Sequence, residues 1–213
     1  MSLTTARLKT ELRRHVPYTV AGALCGILLF VLLQGVHSGT SYRVFYILHP
    51  IHVFFSAMAT AALYQLHRRF SPVYSKKILQ IIVVGYAGSI VVATLSDSLI
   101  PYLGEILLDM PETKVHIGFI EKWWLINPLA LAGAGIAVGY PKTRISHSAH
   151  VLLSTFASLF HMLMAAGGTR LSSGSFIFIL LFLFLAVWIP CSLSDIIVPV
   201  LVGETQSVKA GSQ

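Results

Sequence analysis

Two histidines three residues apart, His49 and His52, lie within one long apolar stretch, and an aspartate, Asp97, lies within the next. Neutral imidazole and carboxylate together form a recurrent ligand set for a divalent transition metal, with positions left open for water or substrate. Such donors suit Zn²⁺ first, then Mn²⁺, Fe²⁺, Co²⁺ or Ni²⁺, better than Ca²⁺ or Mg²⁺. The same types recur further along as His147, His150 and Asp195. The i, i+3 spacing places each His pair on one helix face. Ser56 and Ser154 lie one turn beyond on those faces, and Ser96 and Ser194 precede the aspartates. Their hydroxyls suit the task of orienting a ligand. Pro101 and Pro199 each follow an aspartate by four residues. Proline has no N–H, so in a helix each frees the carbonyl of its aspartate. A freed carbonyl beside a carboxylate resembles the cation corners of broken transporter helices.

Two other uses of these residues stay open. Aspartate can accept hydrogen bonds from His across helices as a purely structural link, and His titrates near neutral pH, which suits a proton relay without metal. Ionisable groups inside apolar spans are nevertheless rare, and function is their default reading.

The two constellations are copies of one pattern. At a constant offset of 98 residues, His49 falls on His147, His52 on His150, Val53 on Val151 and Ser56 on Ser154. Without a gap, Leu95, Ser96 and Asp97 fall on Leu193, Ser194 and Asp195, and Pro101 on Pro199. Each copy covers three apolar stretches. Three is odd, so the second copy must enter the membrane from the opposite side, as an inverted-topology repeat.

The positioning elements follow from composition. The 213 residues are 55% hydrophobic and 11% charged, with a mean hydropathy of +0.78. A soluble domain carries about 25% charged residues and a disordered chain more, so both classes are excluded. Two cysteines build no disulfide framework or zinc ribbon. The expected fold is an all-α integral membrane protein of six transmembrane helices, near 17–36, 44–66, 78–103, 124–140, 147–166 and 176–202. The fourth is short and recruits residues 116–123 as an interfacial approach. A basic arm (1–16) precedes repeat 1 (17–104), an outer loop (105–115) separates it from repeat 2 (116–203), and 204–213 reads as a disordered polar tail.

Basic residues alternate from loop to loop. Arg7, Lys9, Arg13 and Arg14, then Arg68, Arg69, Lys76 and Lys77, then Lys142 and Arg144 fall on one side, and Glu105, Asp109, Glu112 and Glu121 on the other. The positive-inside rule then puts both termini in the cytoplasm, in a plasma (cell inner) membrane. The net charge of +7 thus points to anionic lipid rather than nucleic acid. With that orientation His49, His52 and Asp97 are expected near the outer surface, and His147, His150 and Asp195 near the inner one.

Remaining residues carry weaker signals. His161 has Leu63 as its counterpart and reads as packed or pore-lining; Cys191, four before Asp195, is a possible soft ligand. His116 and Glu121 read as interfacial groups able to recruit cations, and Cys25 as a small buried residue. Gly133, Gly135 and Gly139 suggest close helix packing, and His15, His37 and His67 sit at span ends. Walker A, G-x-S-x-G and H-E-x-x-H motifs are absent.

The expected function is a small secondary transporter for a divalent metal ion or a metal-coordinated anion, possible proton coupling included. The alternatives are an intramembrane metal-dependent hydrolase acting on a lipid, where one metal activates water, and a b-type haem protein with axial His. The partners expected are the bilayer, the ion or small-molecule substrate, and a second copy as a homodimer.

Overall fold

The computed structural model describes the backbone of residues 3–67, 75–141 and 144–210, and the side chains of residues 13, 16–66, 76–141 and 149–192. The described chain is all-helical: α1 (Leu3–Leu32), α2 (Ser38–His67), α3 (Ser75–Thr94), a π-helical turn (Leu95–Leu99), α4 (Ile100–Leu107), the short α5 (Gly118–Glu121), α6 (Trp123–Gly139), α7 (Arg144–Ala165) and α8 (Ser175–Ala210). Three helical stretches are long and apolar enough to cross a membrane: Ser38–Leu66, Lys76–Leu107 and Ser175–Ser192. Three shorter apolar helices accompany them, Val16–Leu32, Trp123–Gly139 and Ala149–Ala165.

α2 is the central element, packed mainly on α7, α6 and α3, while α1 packs on α8. One core forms where α2, α3 and α6 meet, around Phe45, Val53, Ala57, Ala61, Ile81, Ile126 and Ala134. Small residues let these helices approach. A Cβ on Gly133 would lie 2.2 Å from the carbonyl oxygen of Phe54, so only glycine fits there. The second core joins α1, α7 and α8 through Phe30, Leu159, Met162, Ile179 and Leu183.

The helix boundaries differ from the sequence reading in ways that matter for the site. α2 begins at Ser38, six residues before the expected start, so His49 and His52 fall in its middle rather than one or two turns inside its end. α4 runs to Leu107 and carries Glu105, expected in the outer loop, into the bundle with no exposed surface. Residues 118–121 form a helical turn of their own, separated from α6 by the backbone break at Lys122 (φ −122°, ψ 44°). α1 starts within the basic arm, and α8 continues to Ala210 through most of the tail expected to be disordered. Gly135 and Gly139 face open space, unlike Gly133, and Cys25 is exposed rather than buried.

Candidate metal centre

The site is built where α2 meets a defect in the third apolar stretch. In a regular helix the Ile100 N–H would bond to the Ser96 carbonyl; here it reaches Leu95, one residue further back. The next amide belongs to Pro101, which has no N–H to offer the carbonyl of Asp97. A regular helix is thus interrupted where the proline cannot continue it, and a wide π turn takes up the slack. The carbonyl freed at Ser96 is met from outside by Ser158 Oγ on α7 at 2.9 Å, which shares its one proton between that carbonyl and the Ser154 carbonyl at 2.8 Å.

This turn presents Asp97, fully buried, to α2 and α7. His49 Nδ1 and His52 Nδ1 both meet Asp97 Oδ2, at 2.8 and 2.6 Å. Ser96 Oγ donates to Asp97 Oδ1 at 2.6 Å and Ser154 Oγ donates to the same oxygen at 3.0 Å. One carboxylate therefore accepts four hydrogen bonds, two of them from imidazoles. Pro50 lies between the two His in α2 and supplies no N–H to the carbonyl of Tyr46.

A carboxylate that accepts from both Nδ1 atoms fixes the tautomer and leaves each Nε2 as the lone-pair nitrogen. His52 Nε2 is buried and has no hydrogen-bond partner. His49, His52 and Asp97 each place a ligand atom within 4.8 Å of the others. Donor types, compactness and the orphaned nitrogen all fit a divalent transition metal, and three protein ligands leave a position open. Which of the ring nitrogens would bind decides whether Asp97 ligates the ion or orients the two His.

Two residues of the second copy, His150 and Ser154, lie at this centre. The His150 ring stacks on His52, centroids 6.0 Å apart and planes 11° from parallel, and Ser154 completes the shell of Asp97. His52 and His150, expected toward opposite faces, thus meet ring to ring. The apolar boundaries start α2 six residues late, which puts His49 and His52 near its end rather than in its middle. The side chains of His147, Asp195, Ser194 and Pro199 lie outside the described residues, as do those of His15 and His67. Ser56 is buried with an unpartnered Oγ and makes no described contact with Asp97. Cys191 packs among Val92, Val151 and Val187.

Two pairings beyond this centre are not visible in the sequence. His161 Nδ1 meets Glu105 Oε1 at 2.5 Å, and both residues are fully buried. Glu105 follows Asp97 by eight residues, which in a regular helix would turn it about 80° away. The wide turn absorbs roughly one residue and returns Glu105 toward the face of Asp97 that meets α7. The signal for this was Pro101, read only as a freed carbonyl.

The second group is a clasp over His49. Gly118 of α5 presses on that imidazole so closely that a Cβ there would lie 2.3 Å from His49 Nε2. Beside it, Tyr46 Oη donates to Glu121 Oε2 at 2.5 Å, and His116 Nδ1 meets the same oxygen at 3.1 Å. Partial burial alone would raise the Glu121 carboxyl; the hydrogen bonds from Tyr46 and His116 outweigh it and hold Glu121 below the usual carboxylate range. The Lys122 ammonium lies 5.4 Å from the Tyr46 ring and 5.7 Å from that of Tyr42.

No protein-family model, curated protein or solved structure matches this chain. Fold and site thus define it physically: a helical protein with membrane-compatible apolar helices and a buried His-His-Asp group able to hold a metal ion.

Proposed function

We propose that this chain is a small secondary transporter that moves a divalent transition-metal ion, Zn²⁺ first among the candidates, through one centre at His49, His52 and Asp97. The observation that carries the reading is the placement of those three groups. They come from two helices, in the middle of α2 and at a π turn of a second apolar stretch, fully buried, with an orphaned His52 Nε2. Intramembrane ionisable groups mark ion pathways by default, and interrupted helices that line such sites are a transporter device. In this reading all six apolar helices are spans. The loop charges orient both termini to the cytoplasm of a cell whose plasma membrane holds the protein.

The inverted repeat gains support from the packing. Exchanging the halves maps α1 onto α6, α2 onto α7 and α3 onto α8, and so maps the α1–α8 contact onto α3–α6; both contacts are present. The equivalent residues His52 and His150 meet ring to ring, as residues near a pseudo-two-fold axis do. With the second copy's Ser154 on the Asp97 carboxylate and its His150 against His52, both copies contribute to one site in this reading.

The test is the metal content of purified protein, native and His52→Ala, after exposure to Zn²⁺ and removal of free ion. Bound metal in the native protein, lost in the variant, is the expected result. A native protein free of metal overturns the proposal and leaves Asp97 a structural link between helices.

A further inference from the structure

Among the described residues, Glu105 is the least compensated buried carboxylate. Asp97 accepts four hydrogen bonds, whereas Glu105, equally buried, receives one, from His161. Its Oε2 has no hydrogen-bond partner, and neither has His161 Nε2. A buried carboxylate in such surroundings calls for positive charge nearby. The neighbouring polar ring is His116, edge-on to His161 with centroids 5.6 Å apart.

His116 and His161 are prepared in the same way. Each turns Nδ1 to a carboxylate, Glu121 for one and Glu105 for the other. An acceptor on Nδ1 leaves Nε2 with the lone pair, the arrangement common to metal-bound imidazoles. The spacing also suits a shared ion. A Zn–N bond of about 2.0–2.1 Å puts the ring centre about 3.2 Å from the metal, so two imidazoles at a tetrahedral angle have centres about 5 Å apart. The observed 5.6 Å needs only a small adjustment.

The position also has access on one side and a neighbour on the other. His116 lines an open cleft of about 500 Å³, together with Tyr42, Glu112 and Lys114. Inward, the Phe45 ring stands edge-on to His161 at 5.3 Å and stacks on His49 at 5.1 Å. One aromatic ring thus separates this pair from the first centre.

We propose that His116 and His161, oriented by Glu121 and Glu105, form a second divalent-cation position, loaded from the cleft and leading past Phe45 to His49, His52 and Asp97. The proposal rests on the metal-transport reading and makes the path a sequence of two sites. Glu105 supplies the charge that keeps an ion in the bundle between them.

Co²⁺ titration of the full-length purified protein tests it, with stoichiometry from equilibrium dialysis and geometry from the visible d–d bands. Native protein is expected to bind about two Co²⁺ per chain, and His116→Ala and His161→Gln about one each. His116 lies near the surface, so its variant separates loss of a ligand from loss of folding. His52→Ala is expected to bind about one ion with the band pattern of the remaining pair. If His116→Ala and His161→Gln both bind as much Co²⁺ as the native protein, the second position does not exist. Binding of one ion that only His52→Ala removes overturns this proposal and keeps the first centre. Binding of one ion that only the His116 and His161 variants remove keeps the His116–His161 position but rejects the first centre, and with it the path between the two.

Discussion

Asp97→Asn separates an ion-binding carboxylate from a structural one. Asp97 accepts from His49, His52, Ser96 and Ser154 at 2.8, 2.6, 2.6 and 3.0 Å. Asparagine keeps the shape but offers one acceptor oxygen and an amide that can only donate. With the oxygen toward the imidazoles, the two serine hydroxyls can rotate to accept from the amide; Ser96 keeps the Ala93 carbonyl as an acceptor, and the Ser154 proton is the one that loses its partner. The loss is then mainly of charge. A hydrogen bond to a charged group contributes about 1.5–3 kcal/mol and a neutral one about 0.5–1.5, so the two imidazole bonds together lose about 2–3 kcal/mol. That is less than the ~3–5 kcal/mol expected when a buried pair loses one partner outright, as in Asp97→Ala. Asn is therefore the variant that stays folded. For the metal, losing even an orienting carboxylate lowers affinity roughly 10–100-fold, and losing a direct ligand lowers it further. Zn²⁺ affinity is read by competition with a chromophoric chelator, alongside the thermal midpoint of both proteins in the same detergent. A lower midpoint with Zn²⁺ affinity within about twofold of native would refute the reasoning, since Asp97 would then serve only to hold helices together.

Three further outcomes follow from particular contacts. Ser158→Ala removes the donor to the Ser96 carbonyl, which has lost Ile100 as a partner; a loss of about 1–3 kcal/mol in stability is expected, and an unchanged melting midpoint would contradict the account of the π turn. Gly133→Ala drives a Cβ into the Phe54 carbonyl oxygen and is expected to cost about 1–3 kcal/mol or more; Gly135→Ala, which meets nothing, is the control, and equal midpoints for the two would count against the close α2–α6 approach. The third concerns pH. The folded-state carboxyl of Glu121 sits below its ordinary value, so its contribution is complete above that value and fades as pH falls through the folded one. The midpoint difference between native protein and Glu121→Gln should stay constant down to about pH 5 and shrink below about pH 4. Tyr46 and His116 are the side chains hydrogen-bonded to that carboxylate. A difference that survives unchanged at pH 3 speaks against the clasp.

The parts legible in sequence were those with a chemical contrast against an apolar background. His49, His52 and Asp97 stood out because such residues are scarce in spans, and the structure joins them. Boundaries were less legible. Ser38–Arg43 is polar enough to pass for a loop, so the His pair was placed near the outer surface rather than mid-helix. Glu105 was assigned to the loop by its charge, although His161 buries it in α4. That pairing depends on the residue absorbed by the π turn, a tertiary adjustment sustained by Ser158 from another helix. The approach of Gly118 to His49 had no counterpart at the repeat offset and no local pattern, because it depends on where a loop settles after three helices have packed.

Zn²⁺ flux in proteoliposomes tests the central claim most directly. Vesicles carrying the protein and an entrapped zinc indicator, given an outward or inward Zn²⁺ gradient, are compared with protein-free vesicles and with vesicles carrying His52→Ala. Flux well above the protein-free rate, reduced at least about tenfold in His52→Ala at equal protein, is the expected result. Flux no faster than the protein-free rate, or equal in native and variant protein, would contradict transport through His49, His52 and Asp97.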